Sequence, residues 1–308
     1  MEISNMSNKC NWGGSWTEQK LDCFESYVKA YLTIMNVYRD KFNWKLIYFD
    51  GFAGSGDRGD GQVQDNDMPA DMEMFEDGLV QERELNLYQG AAERVVRLEE
   101  KMRGFDFYYF VEKDETKSTM LELKLCRYAT KGYKQFCLGD ANDWVKKMGD
   151  ALHNNSKLKS LCLLDPFGMS INWDTIESLS GNGVDLWILV PTGVIINRLV
   201  KRDGTLMHPE RLEKFFGMSK EDIHDWFYKP RQEMNLFGEI QLWYEKKDNP
   251  IQRIADLFCE RLGELFKFVT NEPLVMRNRN HVPIFHFVCA SNNETAVRIA
   301  SDIIDKRR

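Results

Sequence analysis

The sequence predicts an α/β fold on a mostly parallel, seven-stranded sheet with helices on both faces. Two observations carry this. Short apolar runs, rich in β-branched and aromatic residues, alternate with segments of helical periodicity, the order that βαβ units produce. Four successive runs end in an acid, at Asp50, Glu112, Asp140 and Asp165. Ligands of an open parallel sheet bind beyond the carboxyl ends of its strands, so this repeated placement marks one edge of the sheet as the site.

Residues 1–14 are polar and are expected to pack loosely. Ser15-Trp16-Thr17-Glu18 has capping-box spacing, with Ser15 as N-cap. Leu21, Phe24, Val28, Leu32 and Met35 recur at intervals of three and four, which predicts an amphipathic helix to about residue 40. Lys45-Leu46-Ile47-Tyr48-Phe49 is short enough for a strand and apolar enough to be buried on both faces. It ends in Asp50 and a loop with Gly51, Gly54 and Gly56. Lacking Cβ atoms, such a loop turns sharply and lets backbone amides approach a ligand. A helix resumes near Ala91, with Val95, Val96 and Leu98 apolar. Strands follow at Phe107–Val111, Gln135–Leu138, Ser160–Leu164 and Asp185–Val190, with helices over Thr116–Arg127 and around Trp144–Leu152.

Residues 199–270 read as a helical insertion or cap before the last two strands, with helices at Pro209–Phe216, Lys220–Phe227 and Ile251–Phe268. Trp226, Trp243 and Tyr244 read as its core. Leu274–Met276 and Ile284–Cys289 suit an antiparallel pair around the polar loop Arg277–His281. Asn292 or Asn293 caps a last helix with Val297, Ala300 and Ile304 on one face. The expected organisation is one α/β core, residues 1–198 and 271–308, carrying an acidic insertion at 57–90 and the cap at 199–270.

The net charge of −7 hides an asymmetry. Segment 57–90 holds ten acids against Arg58 and Arg83, a net −8, so the other residues sum to +1. The segment is expected to lie beside the crevice as a lid or partner surface. This balance neither announces nor excludes a nucleic-acid ligand, because a local basic patch is enough. Arg277, Arg279 and His281, and Arg198, Lys201 and Arg202, are open to phosphate contact or to plain solvation. No apolar run approaches the roughly 18 residues of a membrane span. The first residues lack the basic-then-apolar pattern of a signal peptide. Seven dispersed cysteines without a C-x-x-C pair read as reduced, buried thiols in a cytoplasmic protein. The five histidines show no metal-ligand spacing, and His286 reads as a strand histidine with a satisfied hydrogen bond. No G-x-S-x-G, H-E-x-x-H or P-loop pattern occurs, which removes common hydrolase and P-loop readings.

Each strand-end acid has a distinct role available. Glu112 can accept both hydroxyls of a ribose, Asp140 the exocyclic amine of adenine, and Asp165 faces the reacting end. Asp114 and Asp143 read as helix caps. Asp165 with Asp140 or Glu112 could instead hold magnesium, as in a nuclease, but the glycine loop would then go unused.

Asp50-Gly51-Phe52-Ala53-Gly54-Ser55-Gly56 resembles the D-x-F-A-G-S-G cofactor loop of S-adenosylmethionine-dependent methyltransferases. Asp165-Pro166-Phe167-Gly168 is similar to the D-P-P-Y motif of those that methylate amino groups of bases, with Phe167 in place of proline and Gly168 in place of tyrosine. A wider resemblance adds Trp16-Thr17-Glu18-Gln19-Lys20-Leu21, Phe110-Val111-Glu112-Lys113-Asp114 and Cys289-Ala290-Ser291-Asn292, and covers nearly the whole chain. In these the chain resembles the three-Cys-motif partner (TcmP) family, a methyltransferase-like group in bacteria. The resemblance implies a Rossmann-like methyltransferase fold and S-adenosylmethionine as cofactor. It implies that Asp50, Phe52, Gly54, Ser55, Gly56, Glu112, Asp140 and Ala141 bind that cofactor. Asp165, Pro166 and Phe167 would be the catalytic residues, and no metal is expected. It further implies a nucleic-acid substrate, a partner protein bearing three cysteines and resembling radical S-adenosylmethionine enzymes, and a place in anti-phage defence. The alternatives are a non-catalytic or regulatory subunit that keeps the nucleotide-binding fold, and a metal-dependent nuclease or toxin.

Overall fold

The computed structural model describes residues 15–55, 90–166, 168–234, 240–278 and 280–308. The expected acidic lid, Gly56, Phe167 and Arg279 lie outside them. Helix α1 (Ser15–Phe42) turns at Asn43, whose φ of 53° is left-handed, and returns as β1 (Lys45–Asp50). Asparagine tolerates that conformation better than most residues. The antiparallel return sets the start of α1 over the carboxyl end of β1.

After α2 (Ala91–Arg97) the chain alternates β2 (Phe107–Glu112), α3 (Glu115–Leu125), β3 (Tyr133–Leu138), α4 (Ala141–Asn154), β4 (Leu158–Leu164), a short α5 (Trp173–Glu177) and β5 (Val184–Val190). Asp114 caps α3 by accepting from the Lys117 N–H, as expected. Asp143 is not a cap; it lies in the first turn of α4, whose N-cap is Asp140. The sheet order is β3-β2-β1-β4-β5-β10-β8, with β1 to β5 parallel throughout. Strand β10 (Pro283–Ser291) runs antiparallel to β5. The sheet is Rossmann-like, a parallel run of five strands with an antiparallel edge. It has eight strands where seven were expected, because two short strands share its last edge. β8 (Phe268–Val269) pairs with one end of β10 and β9 (Leu274–Arg277) with the other. Helix α9 (Glu294–Asp305) closes the chain, capped by Asn293, with Val297, Ala300 and Ile304 buried.

Alternation along the strands divides the core in two. Leu46 and Tyr48 of β1 join the cluster under α1, α2 and α9, while Ile47 and Phe49 join the opposite cluster. On the α1 side, Phe24 and Tyr27 meet Trp187 edge-on, at ring distances of 6.1 and 5.1 Å. Burying a large apolar side chain contributes about 1.5–3 kcal/mol, so this stripe fixes α1 firmly on the sheet.

The segment before β8 departs from expectation. Helices α6 (Pro209–Phe216) and α7 (Lys220–Phe227) form as read, but Tyr228–Met234 and Ile240–Lys246 are strands β6 and β7 of a separate antiparallel ribbon. Trp243 and Tyr244 are therefore 43% and 39% exposed instead of core. Trp226 is partly buried, and its Nε1–H donates to Arg253 O. Helix α8 (Pro250–Leu265) stops short of Phe268, which is already strand. Lys246 anchors the ribbon, its Nζ donating to Asn197 Oδ1 at 2.9 Å. The Tyr228 hydroxyl adds a bond to Lys201 O at 2.8 Å.

Cys23, Cys137, Cys162 and Cys289 are buried, whereas Cys126 is exposed and Cys259 half-buried, so the thiols are not uniformly interior. His286 meets Thr192 Oγ1 through Nδ1 at 2.8 Å, and Nε2 has no hydrogen-bond partner among the described residues. Burial pushes its pKa down to about 4. Among the described residues no helix is long and apolar enough to cross a membrane.

Candidate functional site

The chain runs outward from β1 through β2 to β3, then returns to the centre and runs the other way through β4 and β5. The switch point lies between β1 and β4, where such sheets open their crevice. Asp50 ends β1, and Asp165 follows β4, the strand paired with it. The structure thus brings Asp50 and Asp165 together at the switch point, with Glu112 next in line on β2.

The glycine loop is pinned from both sides. Gly51 N–H donates to Leu163 O of β4, and Ala53 N–H to Val111 O of β2, both at 2.9 Å. Gly54 N–H donates to Glu112 Oε2 at 3.0 Å, and Asp114 N–H to Oε1 at 2.9 Å. Two positions favour glycine. A Cβ on Gly51 would stand 2.6 Å from Leu164 Cδ2, and Gly54 has a φ of 63°. Each Glu112 oxygen accepts one of these bonds and keeps a second lone-pair direction. Phe52 and Gly54 are half-buried, Ala53 and Ser55 buried.

Asp50 lies beneath this loop, 1% exposed. Its Oδ1 accepts from Phe52 N–H and its Oδ2 from the Tyr48 hydroxyl, both at 3.2 Å. Burial pushes its pKa up to about 7 against these two bonds, and the charges of Asp165 and Glu112 add to the rise. Asp50 shapes the loop from below.

Asp140 takes the opposite character. It is exposed and caps α4, Oδ1 accepting from the N–H and Nδ2 of Asn142 at 2.8 and 2.9 Å. The capping reading thus applies to Asp140, and Ala141 is buried in the turn behind it. Gly139, at a φ of 140°, makes the turn before it and donates to Glu112 O.

Asp165 is 7% exposed, and burial raises its pKa. Lys20 of α1, itself 1% exposed, brings its ammonium to 3.5 Å from Asp165 Oδ2 and opposes that rise. Pro166 is buried beside it. After the motif, Gly168 turns at a φ of 59°.

Two residues of this rim escaped the sequence reading. Lys20 lies on the buried stripe with Phe24, Tyr27 and Tyr31, at intervals of four, three and four. A lysine on an apolar stripe is the signal that could have found it. Asn142 is the other. Besides its bonds to Asp140, its Nδ2 donates to Ser170 O, and its Oδ1 accepts from Asn172 N–H and the Thr175 hydroxyl. It ties the end of β3 to the loop that follows Asp165. Of the basic loops, Arg277 donates to His281 O across its own turn, and Lys201 and Arg202 are exposed. Among the described residues, no group of three His, Cys, Asp or Glu side chains is placed to hold a metal ion.

No family model matches the chain, and no curated protein sequence matches it. Among solved structures, the chain is similar to Trm1 from Pyrococcus horikoshii, solved in complex with S-adenosyl-L-methionine. That match has 10% identity and a TM-score of 0.37, over 93% of this chain and 58% of that one. A conserved hypothetical protein of Streptococcus pyogenes is similar at 12% identity and a TM-score of 0.28, over 69% of this chain and 94% of that one. An S-adenosylmethionine-dependent methyltransferase from Clostridium acetobutylicum is similar at 10% identity and a TM-score of 0.32, over 86% and 92%. The chain spans little more than half the length of the Pyrococcus protein.

Proposed function

We propose that this chain binds S-adenosylmethionine in the strand-end crevice and is a methyltransferase that acts on an amino group of a nucleic acid. One observation carries the proposal: a glycine loop bonded to the carboxylate of the next strand, beside a buried acid across the switch point. The donor set fits the cofactor. Glu112 keeps lone pairs for ribose hydroxyls, the Gly54 turn leaves room for a close backbone approach, and Asp140 with Ala141 would border the adenine. When bound, the cofactor supplies an electrophilic methyl group.

The chain's own residues would do the rest by positioning. Asp165 would accept a hydrogen bond from the target amine. Its raised pKa makes it a better acceptor for the proton which that amine sheds. Phe167 would stack on the target base. The resemblance to the three-Cys-motif partner family adds a protein partner and a defence role to the proposal.

Calorimetry with S-adenosylhomocysteine tests the cofactor reading. Wild type is expected to bind, and Glu112→Ala and Gly54→Val to bind at least tenfold more weakly. Equal binding by all three, or none by wild type, would overturn it.

A second reading is a non-catalytic subunit that keeps the fold to hold a partner. The ribbon β6–β7 favours it, because Met234, Ile240 and Leu242 stand more than half exposed there. Patches of that kind mark interaction surfaces. Cofactor binding without methyl transfer to any DNA or RNA would select this reading.

A further inference from the structure

A lysine whose side chain is 2% exposed is unusual, because burying an ammonium is costly unless a partner answers it. Lys20 has such a partner in Asp165, whose side chain is 6% exposed. The two residues come from different elements, α1 and the turn after β4. The helix is held in the rotation that delivers the lysine. Glu18 and Asp22, flanking Lys20 on α1, both pair with Arg94 of α2, at 2.5 and 2.6 Å. Phe24 and Tyr27, on the Lys20 stripe, lock onto Trp187 from the sheet side. The placement is therefore fixed from two directions.

Asp165 stands beside a second acid. Among the described residues, its charged and titratable neighbours include Lys20 from α1 and Asp50 from β1, with Glu112 of β2 beyond Asp50. Two buried carboxyl groups near each other, Asp50 and Asp165, resist ionising together. Lys20 is the cation that the structure sets among them.

We propose that Lys20 is a positioning residue which keeps the Asp165 carboxylate ionised and aimed into the crevice, where the target amine would meet it. The proposal rests on the cofactor reading given above. It assigns a task to the first helix that neither the glycine loop nor the strand-end acids perform.

The test uses the full chain with Lys20→Met and Lys20→Arg. Asp165 is followed by the ¹³C carboxyl resonance that Asp165→Asn removes from aspartate-labelled protein. In Lys20→Met that resonance is expected to titrate at least one pH unit higher than in wild type. Two probes then report on the crevice: S-adenosylhomocysteine, and sinefungin, which carries an amine in place of the methylsulfonium. Wild type is expected to prefer sinefungin. Lys20→Met should lose at least tenfold of that preference at pH 7 and regain it towards pH 9, with S-adenosylhomocysteine bound within threefold of wild type. Lys20→Arg should restore the preference. An Asp165 titration unmoved by Lys20→Met overturns the proposal whatever the probes do. A moved titration with unchanged sinefungin preference reduces the pair to a structural contact. Wild type that binds neither probe overturns the cofactor reading and the role built on it, while the resonance shows separately whether the pair exists.

Discussion

The four strand-end acids form two contrasting pairs. Asp50 and Asp165 flank the switch point and are buried; Glu112 and Asp140, one and two strands further out, keep contact with solvent. The outer pair is answered by N–H donors from nearby turns, bonds that a carboxylate makes at little desolvation cost. The inner pair has lost its water. Among the described residues, Asp165 has a cation in hand in Lys20, whereas Asp50 is answered by one N–H and one hydroxyl. Burial near a switch point is where a fold can hold an acid away from its ordinary ionisation, and here two neighbours are treated differently.

The largest expected effect makes the inner acids alike. Lys20→Met leaves Asp165 buried without its cation, a change that costs about 3–5 kcal/mol in comparable pairs. The loss should be complete at pH 8 and fade towards pH 4, where the folded state accepts a proton on Asp165. Urea unfolding of wild type and variant at both pH values measures this; a loss independent of pH would mean that packing, not charge, holds the pair.

Asp50→Asn is the next smaller change. Below about pH 4 both folded and unfolded chains carry the proton on Asp50. Between there and its folded value of about 7, only the folded chain keeps it, so stability falls as pH rises. The slope is at most about 1.4 kcal/mol per pH unit. The asparagine variant should show a flatter profile from pH 4 to 7, and an unchanged slope would show that Asp50 ionises freely.

The outer pair supplies the smallest effect. Asp140→Ala removes the cap of α4 and should cost about 1 kcal/mol in urea unfolding. A loss as large as that of Lys20→Met would erase the contrast between the pairs.

Much of this arrangement was legible in the sequence because it is local. Strand runs, helix stripes and the caps at Asp114 and Asn293 depend on residues within a few positions of one another. The placement of the acids was legible too, since a strand that ends in an acid delivers it to the crevice wherever the strand lies. The ribbon β6–β7 was read as helical cap because Pro230 and the charged residues of Tyr228–Met234 obscure its alternation. The run Leu242-Trp243-Tyr244, rich in strand formers, carried the signal. Two-residue β8 is defined by its pairing to Ala290 and Ser291, which no local pattern announces. Lys20 depends on a contact across 145 positions, set by the return of α1 over β1 (residues 20 and 165). The partner of a buried charge is a property of the folded chain.

The bonds around the crevice also have a mechanical meaning. From Leu163 O to Gly51, from Gly54 to Glu112, from Glu112 O to Gly139, and from Asp140 through Asn142 to Ser170, they run round the rim and return to the turn after β4. This is a hoop, and a hoop resists spreading in a way that separate struts do not. A rim tied in this way has less freedom left for a binding event to remove. Cutting the hoop at one bond, Asn142 included, would slacken the whole circumference.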